Sequence, residues 1–274
     1  MLNPTAFEGT VVYVAGGTSG INLGIARGFA AHGANVVVSS RSSDKVSAAV
    51  ETLLADGARA ADGFASDVRD YDATAAGIDA AAARHGRFDV VISGAAGNFP
   101  ATAAGMSANG FKAVVDIDLL GTYNVFRACH RHMTRPGGSM IAVSAPQSTL
   151  PMPMQAHVCA AKAGVDMLVR TLAIEWAPEG LRVNAIVPGP IDETEGMNRL
   201  APGAKARAVV EASVPMGRYG TVADIANGAL LLSSPLAGYI NGAILPVDGG
   251  WSLGGAAAAM TTLARAAGPK PGGE

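Results

Sequence analysis

The stretch AGGTSGINLGIARGFAAHG, Ala15 to Gly33, follows the apolar run VVYVA (11–15) and leads into an alanine-rich segment. Gly16 and Gly20 flank a turn between a strand and a helix, where missing side chains let backbone approach a pyrophosphate at the positive helix N-terminus. A tight strand-to-helix connection would use glycine too. The position of this turn at the head of a βαβ series favours the dinucleotide site. The spacing is GxxxGxG with its last glycine replaced by Asn22, which narrows the space beside the expected cofactor.

Outward from this turn the chain alternates. Apolar, β-branched runs at NVVVSS (35–40), DVVIS (89–93), SMIAVS (139–144), RVNAIV (182–187) and GAILPV (242–247) are separated by longer, alanine-rich, helix-prone segments, and ADGFASD (61–67) supplies a weaker seventh strand. This spacing predicts repeated βαβ units. The expected fold is α/β: a single-domain, Rossmann-type doubly wound structure over residues 1–253, with a seven-stranded parallel sheet and helices on both faces. An Ala/Gly-rich tail, 254–274, is expected to be partly disordered, with an alanine run able to form a short helix.

Composition narrows the function classes. With 49% hydrophobic and 15% charged residues over 274 positions, the chain can bury a large core. A net charge of −2 carries no nucleic-acid or membrane-surface signature, and no apolar run reaches the roughly 18 residues of a membrane span. Two cysteines, Cys129 and Cys159, make no disulfide framework, which points to a reducing, cytoplasmic compartment. No metal site is assigned.

Cofactor choice is read at the end of the second strand, SSRSSDK. An NAD site would place an acidic residue there to bond the ribose hydroxyls. Instead Arg41 can pair with a 2′-phosphate while Ser40 and Ser42 supply hydroxyls, which makes NADP the better fit. The competing reading is a solvated surface arginine.

With these pieces in place, residues 8–253 resemble the short-chain dehydrogenase/reductase superfamily. Further matching pieces are Asp67 in SDVRD, SGAAG (93–97), Lys162, PGPI (188–191) and a last strand running into DGG (248–250). Four stretches are similar, more narrowly, to peroxisomal-type 2,4-dienoyl-CoA reductases: GAAGNF (94–99), FKAVVDIDLLGTYNV (111–125), AHVCAAKAGVD (156–166) and PGPIDETEGMNRL (188–200). The resemblance implies cofactor contacts at Gly16, Thr18, Ser19, Gly20, Ile21, Arg41, Ser42, Asp67, Val68, Gly94, Ala95, Lys162, Pro188, Gly189 and Ile191, with Asp67 at the adenine. It also implies acyl-CoA contacts at Phe99, an apolar wall, and Arg199, facing the CoA portion. Taken alone, a core phenylalanine and a solvated arginine are equally open readings of those two.

The departures from the superfamily pattern carry chemistry. Its catalytic tetrad of Asn, Ser, Tyr and Lys corresponds here to Asp118, Ala145, Val158 and Lys162. Ser144 is no substitute, because one step along a strand points to the opposite face. His157 lies beside the tyrosine position but about 100° around a helix, where a capping or packing role is expected. Cys159 reads as a small core residue.

Reduction of a ketone leaves an alkoxide that needs an acid at once. Reduction of a conjugated thioester leaves a resonance-stabilised enolate or dienolate, which needs oxyanion donors and a slower proton source, such as a held water. The missing hydroxyls therefore argue for an alkene electrophile. The resemblance implies NADPH-dependent reduction of 2,4-dienoyl-CoA to 3-enoyl-CoA in unsaturated fatty-acid degradation. Lys162 would hold the nicotinamide ribose, and Asp118 would act protonated or through a water. Other readings stay open: a related reductase of another enoyl or carbonyl substrate, and a catalytically inactive NADP-binding regulatory protein.

The polar segment 191–212 is a candidate substrate lid. Helices near 108–133 and 158–177 are apolar on more than one face, including Val125, Phe126, Met167, Leu168 and Leu172. The resemblance implies that such helices pack between subunits, giving a homotetramer or, second, a dimer. The C-terminus ends GGE and carries no SKL-type tripeptide, in keeping with a bacterial-style cytoplasmic setting.

Overall fold

Strand periodicity survives in the three-dimensional structure as two alternating faces. The computed structural model describes residues 3, 5–201 and 203–254, apart from the side chains at 199 and 200. The expectation for the tail therefore falls, beyond Gly254, outside the described residues. In chain order the strands are β1 Val11–Ala15, β2 Asn35–Ser40, β3 Ala60–Ala65, β4 Val90–Ser93, β5 Ser139–Val143, β6 Arg182–Pro188 and β7 Ile244–Val247. They pair in parallel as one seven-stranded sheet in the order β3-β2-β1-β4-β5-β6-β7.

The helices are α1 Gly20–Ala30, α2 Ser43–Ala55, α3 Tyr71–His85, α4 Ala108–Val115, α5 Gly121–His130, α6 Ala156–Trp176, α7 Glu195–Leu200, α8 Ala204–Ser213 and α9 Val222–Ser233. Val12, Val14, Val36, Val38 and Ile92 point into a core shared with Ile25, Phe29, Leu53, Ile225 and Leu230 of α1, α2 and α9. Their neighbours Val11, Tyr13, Val37 and Val91 point the other way, toward Ile78, Phe126 and Val165 of α3, α5 and α6. With both faces covered, β1 is buried at every position and reads as a continuous apolar run.

Strand order reverses between β1 and β4, and a crevice opens there beyond the strand ends. A Cβ on Gly16 (φ +76°) would meet Ala95 N at 2.9 Å, so the left-handed backbone and the close approach both require glycine.

Two features depart from the expected outline. Between α4 and α5 the helix widens into a π-helical turn, Asp116–Leu120, rather than running on evenly. Such turns insert a residue and re-aim the side chains around it. The segment 191–212 is helical in two pieces, α7 and α8, where Met197 and Ala201 pack against Tyr219. Thr194 caps α7 by accepting from Met197 N, and Arg207 pairs with Asp192.

Candidate active site

The first βα turn forms one wall of a crevice of about 390 Å³ at the switch point. Nine of the expected cofactor residues line it: Gly16, Thr18, Ser19, Arg41, Ser42, Asp67, Val68, Gly94 and Ala95. Ser19 is the N-cap of α1 yet makes no side-chain capping bond, so the helix end faces the crevice without an internal acceptor from that residue. Gly20 and Ile21 lie in the first turn of α1. Pro188 ends β6 and Gly189 and Ile191 follow it, all three outside the lining of this crevice. A Cβ on Gly189 would lie 2.6 Å from Asp248 Cα, so glycine is required there to let β6 pass the chain leaving β7.

Beyond the end of β3, Asp67 pairs with Arg69 at 2.6 Å. Hydrogen bonds from the Arg69 side chain hold the Asp67 carboxyl below the usual carboxylate range. Val68 is fixed through its carbonyl, which accepts from Asn124 Nδ2 at 2.9 Å. Arg41 is exposed and makes no ion pair among the described residues, leaving its guanidinium available to an anion.

The crevice fits a dinucleotide on these observations: a glycine-only close approach, an uncapped helix N-terminus and an unpaired arginine at the end of β2. Sequence reasoning missed Lys45, Ser66 and Glu195, which also line it. Lys45 was legible as a cation one turn into α2, whereas Glu195 arrives from α7, a placement that local sequence does not specify.

Asn22 has a role that its place in the glycine motif did not reveal. Its Nδ2 donates to the Gly94 carbonyl at 2.6 Å, tying α1 to the end of β4 across the switch point. A Cβ on Gly94 would collide with that amide, at 2.0 Å from Asn22 Oδ1. The larger side chain in α1 is thus matched by glycine opposite.

The π-helical turn delivers Asp118 inward, with 1% of the residue exposed. Asp118 Oδ1 accepts from Gly97 N at 2.7 Å, and Oδ2 lies 3.2 Å from Lys162 Nζ. Oδ2 faces the ammonium as an ion pair and has no further hydrogen-bond partner among the described residues. Lys162 donates to the Val143 carbonyl at 3.0 Å. One turn further along α6, Asp166 accepts from Ser144 Oγ at 2.5 Å, so Ser144, just past the end of β5, is engaged with the helix that carries Lys162.

At that tetrad the remaining positions are apolar. Val158 packs with Val114 and Ala161 against Leu119. Cys159 is a free thiol whose Sγ reaches only the Leu150 carbonyl, at 3.9 Å. Phe99 is 39% exposed and meets His157 edge-on, with ring centroids 4.6 Å apart. His157 packs beneath Phe99 without capping the helix, since α6 takes Gln155 as its N-cap. The backbone of Arg199 lies in α7, and its side chain falls outside the described residues. A larger cavity, about 720 Å³, opens around Arg182 and Ser233 at the opposite end of β6, and none of the expected site residues lines it.

A family model described as enoyl-(acyl carrier protein) reductase matches residues 15–252. The rat (Rattus norvegicus) protein named peroxisomal 2,4-dienoyl-CoA reductase, (3E)-enoyl-CoA-producing, is 42% identical over 249 residues, covering 90% of this chain and 85% of its own. A Bacillus subtilis protein named probable 2,4-dienoyl-CoA reductase, (2E)-enoyl-CoA-producing, is 38% identical over 246 residues, covering 89% of this chain and 96% of its own. A solved gluconate 5-dehydrogenase from Burkholderia cenocepacia, in complex with NADP and tartrate, superposes with a TM-score of 0.84 at 30% identity, over 91% of this chain and 98% of its own. With a glycine-tight switch point in a seven-stranded parallel sheet and these relatives over about nine-tenths of its length, the chain belongs to the short-chain dehydrogenase/reductase family, oxidoreductases that work with a nicotinamide cofactor.

Proposed function

We propose that the protein reduces conjugated acyl thioesters with NADPH, converting 2,4-dienoyl-CoA to 3-enoyl-CoA in unsaturated fatty-acid degradation. One observation carries this reading: valine and alanine stand at the Tyr and Ser positions, while Asp118 and Lys162 remain as a buried pair beside them. A decayed site would have no reason to keep that pair, because burying two charges is costly unless both are held. The crevice residues would hold the dinucleotide, which when bound would supply the hydride for the far alkene carbon of the substrate.

The chain's own residues then have two tasks. Lys162, fixed by the Val143 carbonyl, holds the ribose end. Asp118 Oδ2 holds a water whose second proton goes to the α-carbon, the resulting hydroxide being reprotonated from solvent. Of the two roles expected for Asp118, this geometry favours the water, since Gly97 N–H and the Lys162 ammonium both face its oxygens as acceptors. Phe99 forms the acyl wall, and Arg199 in α7 is assigned to the CoA portion. The test is NADPH oxidation with a panel of acyl-CoAs, with products identified by mass spectrometry.

Cofactor preference is tested separately. NADPH is expected to bind more tightly than NADH, and Arg41→Ala to erase most of the difference, roughly 10- to 100-fold for one charge-assisted contact. Equal affinities in the unmutated protein would remove the role assigned to Arg41.

Assembly follows the same reading. Val125, Phe126 and Leu172, expected among the residues between subunits, are buried within the chain's own core. The faces left over on α5, α6 and the π-helical turn carry Leu120, Tyr123, Met167 and Ile174, all exposed. We assign these to contacts in a homotetramer, measurable by light scattering. The working location is the cytoplasm, on the two free thiols; the rat relative is named peroxisomal. Among the described residues no helix is long and apolar enough to cross a membrane.

A further inference from the structure

His157 is fully buried, and neither ring nitrogen has a hydrogen-bond partner among the described residues. An imidazole always carries at least one N–H donor, so this arrangement leaves a polar group desolvated at a cost. Native interiors rarely tolerate that without a reason. Close by in sequence, Gln147 leaves its Oε1 buried and unpartnered while its Nε2 donates to Gln155 at 2.7 Å. Two unspent polar groups thus flank the apolar pair Ala145 and Val158.

The placement links this imidazole to Asp118. The bridge 97–101 is tied at one end by Gly97 N to Asp118 and at the other by Ala101 N to the Met154 carbonyl, just before α6. Phe99, between the ties, lies edge-on over His157 and rests near Gly110 of α4. Lys162 is committed to Val143 and faces Asp118, and Asp118 itself only accepts. Of the buried, unpartnered donors among the described residues, Ser233 lies at the far end of β6, which leaves His157.

Resting on the dienoyl-thioester reading above, we propose that His157 donates a hydrogen bond to the thioester carbonyl oxygen of the substrate, and that Phe99 covers the imidazole until the acyl group moves it aside. As hydride enters the far alkene carbon, the electron pair shifts through the diene onto that oxygen. His157 N–H then stabilises the oxyanion without transferring its proton, and the α-carbon takes its proton from the water at Asp118. The apolar residue at 158 is consistent with this division of labour, since the donor sits one position earlier and behind Phe99.

The test uses the full-length protein with His157→Leu and His157→Gln. The leucine variant is expected to lose roughly 10- to 100-fold in kcat on a 2,4-dienoyl-CoA with NADPH affinity unchanged. It is also expected to gain about 2–4 °C in Tm, because it removes the unpartnered nitrogens. The glutamine variant, which keeps a donor, should recover part of the kcat. One of the five histidine ring signals in the 15N NMR spectrum, absent from the leucine variant, should shift when NADP+ and saturated hexanoyl-CoA are added together. Unchanged kcat in the leucine variant, no ring shift, or a fall in Tm showing that the imidazole serves only the fold or a bridging water, would each overturn the proposal. Inactivity of the unmutated enzyme on every dienoyl-CoA would instead overturn the reading on which it rests, and the ring-shift experiment would still report whether a saturated thioester reaches His157.

Discussion

Asp118→Ala is expected to lower kcat by on the order of 10²–10⁴-fold while leaving NADPH affinity near that of the unmutated protein, because on the proposed reading the group it removes positions the proton-giving water, and it does not line the dinucleotide crevice. Lys162→Ala should cost both turnover and cofactor binding. The two effects are not additive: each single change leaves a buried charge without its partner, so the double variant should fall short of the product of the two losses. Stability separates the causes. Asp118→Ala also strands Gly97 N–H, and a drop in Tm alongside the loss of kcat is expected for it. Asp118→Asn restores an acceptor for Gly97 and should recover most of that Tm. It places an amide where, on the proposed reading, the carboxylate holds water, so kcat should stay low. Normal turnover in both Ala variants would place the chemistry elsewhere in the protein.

The sequence carried the scaffold almost to the residue. Six of the seven strand positions follow from apolar runs, because a parallel sheet covered on both faces is apolar at most positions, and the helical spacers force parallel crossovers; the edge strand β3, AADGFA, is only partly buried and is correspondingly weaker in sequence. The glycine turn was equally legible, since Gly16 is demanded by its own backbone. What stayed hidden depends on pairs distant in the chain. Nothing local to Asn22 announces that its amide will span to Gly94, and nothing in DIDLL announces a widened turn that aims Asp118 at Gly97. His157 illustrates the point from the other side: the sequence offers it a capping or packing role, but only the three-dimensional structure shows that it is buried and that its nitrogens meet no partner among the described residues. The helices at 195–213 were obscured by their polarity, because their packing is confined to a small cluster around Tyr219.

Reaction class is where the apolar tetrad makes its largest statement. With NADPH, a 2,4-dienoyl-CoA should lose its conjugated chromophore and yield a 3-enoyl-CoA, while a 3-oxoacyl-CoA or a simple ketone should be reduced roughly 10²- to 10⁴-fold more slowly, the usual contribution of a positioned acid. The reason lies in where charge develops. A dienolate spreads its charge over carbon and oxygen and can wait for a proton, whereas the alkoxide of a ketone needs one immediately, and Val158 has none to give. Product identity matters as much as rate: the rat and Bacillus relatives are named for 3-enoyl and 2-enoyl products respectively, and protonation at the α-carbon gives the former while protonation at the γ-carbon gives the latter. On the proposed reading, a water held at Asp118 would protonate the α-carbon and give the 3-enoyl product. Val158→Tyr alone should not create strong ketone reduction, because Ala145 leaves the hydroxyl without its serine partner and Asp118 stands where the family pattern has asparagine. Robust ketone reduction with no activity on any dienoyl-CoA would sink the proposed function. Tight NADPH binding with neither activity would instead make the protein a dinucleotide-binding relative whose Asp118–Lys162 pair serves the fold alone.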